Sequence, residues 1–111
     1  MNVVVGGAKI GLEWVEMDEW GSYHHDERKI LLNAKLLDDA DNFALTLKHE
    51  IRHAALAISG VSFGLTNEQE EQIVRCMDTI FDPAWDEILT KANRWDRRKS
   101  LGDGRRLKAT R

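Results

Sequence analysis

The 111-residue chain has one cysteine and one proline. A single thiol, Cys76, excludes an intramolecular disulfide framework and a cysteine-rich zinc fold. One proline in a composition that is 42% hydrophobic and 32% charged argues against collagen-like, low-complexity and wholly disordered classes. Long apolar runs are missing too. The longest uncharged stretch, which includes Ala54 to Thr66 and ends before Glu68, contains Ser and Gly and falls short of the ~20 residues that span a bilayer. The N-terminus, Met-Asn-Val-Val-Val-Gly-Gly, lacks the basic start and the apolar length of a signal peptide. The expectation is one soluble, cytoplasmic domain without a membrane partner. At this length the chain has room for one core and not for two.

Charge is present but unevenly shared. Residues 1–90 carry 7 Lys+Arg and 17 Asp+Glu, a net of −10, and residues 91–111 carry 9 and 2, a net of +7. The overall −3 describes neither part. The sequence predicts a folded domain over 1–96 and a basic, flexible tail over 97–111.

The first third reads as β. Ile10, Leu12 and Trp14 alternate with Gly11 and Glu13, the period-2 pattern of a half-buried strand. Trp20 to His25 and Lys29 to Leu32 are shorter candidates, with Asp26-Glu27 as the turn between them. Val3 to Val5 adds an edge strand before Gly6-Gly7. The chain then turns helical. Asp38, Asp39 and Asp41 suit a helix start, and Gly60 suits its end. Leu47, Ile51, Ala54 and Ile58 share one face of that helix; Leu45 and Leu56 fall near the opposite face, so cover is expected on two sides. Thr66-x-x-Gln69 matches a capping box for a second helix with an apolar stripe of Ile73, Val74, Met77, Ile80 and Phe81. Pro83 ends or kinks it and suits the first turn of a third helix capped by Asp82. There Trp85, Ile88, Leu89, Ala92 and Trp95 share a face.

The informative residues are His49-Glu50-Ile51-Arg52-His53, an H-E-x-x-H pattern inside the first predicted helix. Positions i and i+4 lie one turn apart on the same face, so both imidazoles can meet one metal ion. Glu50 is rotated by about 100°. It stands beside the ion, where it can take a proton from a metal-bound water. Zinc suits two imidazoles and a carboxylate with one position left for water, though two histidines and a carboxylate also accept iron or nickel. The third ligand is sought in the acids that open the second helix. Glu68 belongs to the first turn and serves the dipole. Glu70 and Glu71 both remain candidates, and periodicity favours Glu70, which aligns with Ile73, Val74 and Met77.

The layout resembles the small H-E-x-x-H zinc metallopeptidase-like proteins of phages and prophages, related to ImmA/IrrE-type peptidases and more loosely to other gluzincins. The likeness rests on a short β-meander, then Thr46-Leu47-Lys48-His49-Glu50-Ile51-Arg52-His53-Ala54-Ala55, a loop, and Glu70-Glu71-Gln72-Ile73-Val74; it spans roughly residues 8–90. It implies that His49, His53 and Glu71 are the zinc ligands, with Glu70 as the alternative third ligand, and that Glu50 is the catalytic base. Two positions depart from the pattern. Arg52 puts a charge inside the motif, and Asp82-Pro83 stands where Asn-Pro is expected.

Other residues are weighed against simpler roles. Tyr23, His24 and His25 are candidate donors for a tetrahedral oxyanion, and neighbouring strand residues cannot all face one site. Trp14, Trp20, Trp85 and Trp95 are expected to anchor the core, with a groove-lining role as the lesser option. Cys76 is expected to be a buried small hydrophobe. The tail over residues 94–111 can reach phosphates of nucleic acid but has no aromatic after Trp95 to stack on bases.

The resulting expectation is an α+β domain: a small, mostly antiparallel sheet of about three strands on a central H-E-x-x-H helix, with one or two further C-terminal helices, a minimal zincin-like plan. The expected function is zinc-dependent hydrolysis of a peptide or protein. The alternative is a non-catalytic, metal-stabilised phage protein, with or without nucleic-acid contacts through its tail.

Overall fold

A computed structural model describes residues 1–92. The 96/97 boundary, Trp95 and the 94–111 arm lie outside the described residues. The architecture is α+β. Four strands, β1 (Asn2–Val5), β2 (Ala8–Val15), β3 (Gly21–His24) and β4 (Lys29–Asn33), form one sheet in the order β1-β2-β4-β3. The sheet is mixed. β1 pairs with β2 and β3 with β4 antiparallel, but the central pair, β2 and β4, is parallel from Gly11↔Lys29 to Val15↔Asn33. The sheet is mostly antiparallel, as expected, but it has four strands and not about three, and its parallel central pair departs from a meander. After β2 the chain crosses to the far edge as β3 and returns as β4 between them, a path that the local turn signals do not encode.

Asn33 holds that crossing in place. Its buried side-chain amide donates to the carbonyls of Met17 (2.7 Å) and Glu19 (2.9 Å), and its backbone N–H donates to Trp20 O (2.8 Å). Buried amides pinned this way fix a loop that has no ladder of its own. The anchored residues lead directly into Gly21, at the edge of the sheet nearest the site.

Helix α1 (Ala40–Ile58) packs across the sheet. Asp39 caps it through Asn42 N–H, and Gly60 follows its end at φ 87°, a conformation that glycine takes at no steric cost. Ile10, Ile30, Leu32, Leu36 and Ala54 are fully buried or nearly so, with Leu47, Ile51 and Ile58 against them. This is the helix face that periodicity predicts. On the opposite face Leu56 is half-buried, whereas Leu45 is 59% exposed, so the expected second cover is only partial.

The second helix runs further than the proline suggests. α2 (Asn67–Cys76) opens with the Thr66–Gln69 capping box and passes through a π-helical segment, Met77–Phe81, into α3 (Asp82–Ala92). Pro83 neither ends it nor opens a separately capped helix. A proline removes one helical donor and crowds the carbonyl four residues back. The wider π turn, with Asp82 N–H bonded to Met77 O, absorbs that crowding. Asp82 has helical φ and ψ, so it is a helix residue and not a cap.

Val74 is the one buried apolar side chain of α2; Ile80, Phe81, Trp85, Ile88 and Leu89 are all exposed. Cys76 is exposed as well, against expectation. Three of the tryptophans also fail as core anchors. Trp14, Trp20 and Trp85 are 38%, 51% and 52% exposed, and the fully buried side chains between α1 and the sheet are aliphatic. Trp14 stacks on Phe43 at 5.3 Å, at the rim. Among the described residues, no helix is long and apolar enough to cross a membrane.

Candidate metal centre

The histidines of α1 project toward α2, and four atoms converge there. His49 Nε2 and His53 Nε2 are 3.2 Å apart. The Glu71 carboxylate lies 3.2 Å from His49 Nε2 through Oε1 and 3.1 Å from His53 Nε2 through Oε2. Among the described residues, His49, His53 and Glu71 form the group able to hold a metal ion.

The opposite nitrogens explain which lone pairs are free. His49 Nδ1 is 2.5 Å from Asp78 Oδ2, and His53 Nδ1 is 2.6 Å from Glu70 Oε2. A carboxylate only accepts, so each Nδ1 carries a proton and donates it. In the neutral rings both Nε2 atoms are then bare acceptors, and they face each other and a carboxylate. Four electron pairs converge with no donor among them. A cation satisfies all of them at once. The alternative is a proton on each Nε2, which places two positive rings with centroids only 4.9 Å apart.

The spacing suits a small ion. Tetrahedral ligands at zinc distances of about 2.0–2.1 Å stand about 3.3 Å from one another, close to the 3.1–3.2 Å separations found here. One ligand atom from each of the three residues lies within 4.8 Å of the others, so the group could hold a metal ion.

Glu70 and Glu71 both serve this cluster, in different places. Glu71 faces the two Nε2 atoms. Glu70 stands behind His53 and also accepts a hydrogen bond from the Ser62 hydroxyl. Burial raises the Glu70 carboxyl, but the bonds from Ser62 and His53 and the His53 charge outweigh it, so its pKa is lowered overall. Periodicity points to Glu70 because Glu70 does face α1, one shell further out.

Glu50 is buried, at 6% exposure. Burial holds its carboxyl above the ordinary range; His49 and His53 oppose the shift, and Glu71 and Asp78 add to it. Gly21 permits its position. A side chain there would meet Thr46 Cγ2 at 2.8 Å, Leu31 O at 3.1 Å and Glu50 Cγ at 3.3 Å. Two clefts open at this point and share Gly21, His49 and Glu50. One, of about 470 Å³, is walled by Trp20, Leu45, Thr46 and Thr79. The other, of about 380 Å³, lies among Ser22, Tyr23, His53, Glu70 and Glu71. Trp20 thus lines a groove.

Of the three donor candidates, Tyr23 borders the second cleft, with its hydroxyl 2.8 Å from His25 Nδ1. His24 pairs with Ser22 Oγ at 2.9 Å, and His25 turns toward Phe63. Burial raises the Tyr23 hydroxyl pKa, and Arg28 partly offsets this. Asp78, Asp82 and Ser62 are the members of the cluster that sequence reading does not supply. Arg52 carried the available signal: a cation on a helix face aimed at a neighbouring helix calls for carboxylates on that neighbour. Arg52 donates to Asp78 Oδ1 at 2.5 Å and to Asp82 Oδ1 at 2.6 Å.

Comparison with known protein families, with curated proteins and with solved structures finds no match.

Proposed function

We propose that this domain is a zinc-dependent peptidase of minimal zincin-like plan, with His49, His53 and Glu71 as metal ligands and Glu50 as the general base. The convergence of two bare imidazole nitrogens and a carboxylate at 3.1–3.2 Å carries the reading. A zinc ion held by His49, His53 and Glu71 would supply Lewis-acid polarisation of a scissile carbonyl and would lower the pKa of a bound water toward ~7. Glu50, next in sequence to His49 and at the floor of both clefts, accepts the proton of the attacking water and passes it to the leaving amine. Its surroundings suit that work, because a desolvated carboxylate is a stronger base than one in water.

A peptide has a place to lie. β3 is the edge strand beside α1, and its outer rim offers backbone groups to an extended chain. His49, His53 and Glu71 are the three ligating residues among the described ones; with Glu71 bound through one oxygen, a fourth position would be open to water, as in a catalytic zinc site. Glu50→Gln keeps zinc and abolishes peptide hydrolysis. Hydrolysis by Glu50→Gln at the wild-type rate refutes this mechanism.

One observation favours a second reading, a metal that staples the fold without catalysis. α2 has a single buried apolar residue, Val74, and its Glu70 and Glu71 carboxylates pair with His53 and His49 of α1. A zinc ion would supply much of what holds the two helices together. Under that reading Glu50→Gln has no chemical consequence, and removing zinc separates α2 from α1.

A further inference from the structure

Arg52 is the residue of the motif that the metal reading leaves without a task. Its surroundings supply one. Asp78 divides its two oxygens: Oδ2 takes His49 Nδ1 at 2.5 Å, and Oδ1 takes an Arg52 guanidinium nitrogen at 2.5 Å. The other terminal nitrogen of Arg52 reaches Asp82 at 2.6 Å. We propose that Arg52 is a positioning residue of the metal centre: it holds the Asp78 carboxylate against His49 Nδ1 and so fixes His49 Nε2 as the nitrogen that faces His53 and Glu71. This rests on the reading of those three residues as a metal group.

The second histidine has the same arrangement built from different residues. Behind His53 stands Glu70, and behind Glu70 stands the Ser62 hydroxyl. Behind His49 stands Asp78, and behind Asp78 stands Arg52. Each imidazole has a carboxylate, and each carboxylate has a further donor on its other oxygen. A carboxylate held at one oxygen can still swing about its terminal torsion. Held at both, its plane is set. Outer partners of this kind fix the tautomer and ring orientation of a ligating histidine.

The guanidinium suits the task because it is planar. Two of its nitrogens engaged on two carboxylates set the plane of the whole group, which a lysine ammonium cannot do. Burial alone would lower the Arg52 pKa, but Asp82 and Asp78 outweigh it and hold the cation firmly charged.

The π segment presents both carboxylates to the same guanidinium. In an α-helix, four residues overshoot one turn by about 40°. Asp78 lies in the wider turn over Met77–Phe81 and Asp82 directly follows it, and both carboxylates reach the one guanidinium. The two departures from the peptidase pattern, Arg52 and Asp82-Pro83, are therefore one device. The charge inside the motif has its partners in the residue before the proline and in the turn that the proline widens.

The test compares Arg52→Gln and Asp82→Ala with wild type by two readouts. One is zinc affinity, by competition with a chromogenic chelator. The other is the ring-nitrogen NMR spectrum of the metal-free protein, which reports the tautomer of each histidine. Arg52→Gln is expected to weaken zinc binding about 10–100-fold and to mix the His49 tautomers while leaving His53 unchanged. Asp82 bonds Arg52 and not a histidine, so any effect of its loss on His49 passes through Arg52. For Asp82→Ala the expected loss of affinity is smaller, about threefold to tenfold, with the same selective change at His49. Wild-type affinity and a single His49 tautomer in Arg52→Gln overturn the proposal, as does equal disturbance of His49 and His53. If Arg52→Gln does not fold, an unchanged His49 spectrum in Asp82→Ala overturns it. The metal-free spectra decide the matter even if wild-type protein binds no zinc, so failure of the metal reading is a separate result.

Discussion

Gly21 is a point of close approach between the sheet and the H-E-x-x-H helix, and Gly21→Ala tests how closely the two are fitted. The added methyl would lie 2.8 Å from Thr46 Cγ2, about 1 Å inside an ordinary carbon–carbon contact of 3.5–4.0 Å. It would also lie 3.1 Å from Leu31 O, which is backbone of the paired strand and cannot turn away. The strain therefore falls on α1, at Thr46 and at Glu50 Cγ, 3.3 Å off. Overpacking of this kind costs about 1–3 kcal/mol, which lowers the melting temperature of a domain this size by about 4–8 °C per kcal/mol. Thr46→Ser removes the closest obstacle, Cγ2. In that background the Gly21→Ala penalty should shrink by about 1 kcal/mol, the coupling expected of residues in contact. Displacing Glu50 should also lower peptide hydrolysis, by up to about 100-fold. Paired thermal melts of the four proteins of this cycle are the assay. A Gly21→Ala protein that melts with wild type, or a penalty unchanged by Thr46→Ser, refutes the close fit.

Two further outcomes follow from buried and capping groups. In metal-free protein Glu50→Gln should be more stable than wild type by about 0.5–2 kcal/mol at neutral pH, because a site held for chemistry is kept at the expense of stability. Burial raises the folded-state pKa of Glu50 above its unfolded value of 4.5. Wild-type stability from this group is thus greatest below pH 4.5 and falls as pH rises through the folded pKa, and melts across pH should show the gap to Glu50→Gln opening over that window. Thr66→Ala breaks the capping box of α2 and should cost about 1 kcal/mol, read by thermal or urea unfolding. An unchanged midpoint contradicts the cap.

What the sequence made legible was what is local. The α1 face of Leu47, Ile51, Ala54 and Ile58, the Thr66–Gln69 box, Gly60 as a stop and the alternation over Ile10 to Trp14 each depend on neighbours within a turn or a strand. The spacing of His49 and His53 also set two ligand candidates on one face. The parallel pairing of β2 with β4 was not legible, because it depends on where β3 crosses. The partners of Arg52 were not found because they lie 26–30 residues away, Asp78 within a stretch read as apolar and Asp82 at a position read as a helix cap. Asp78 sits seven residues after Glu71, about two turns on the same face, a spacing that could have marked it. Periodicity alone did not separate Glu70 from Glu71 for a physical reason: both pair with histidines of α1, Glu70 at one Nδ1 and Glu71 at the two Nε2 atoms. The tryptophans were misplaced because side-chain size was taken as a sign of burial, whereas aliphatic residues fill this thin core and the indoles lie at its rim.

Zinc stoichiometry with X-ray absorption at the zinc edge tests the metal centre most directly. The prediction is one zinc per chain, with two imidazole nitrogens and oxygen ligands at about 2.0–2.2 Å, no sulfur from Cys76, and loss of the ion in His49→Ala, His53→Ala and Glu71→Ala. A protein that retains no zinc when it is supplied, or holds it with all three of those residues replaced, contradicts the assignment.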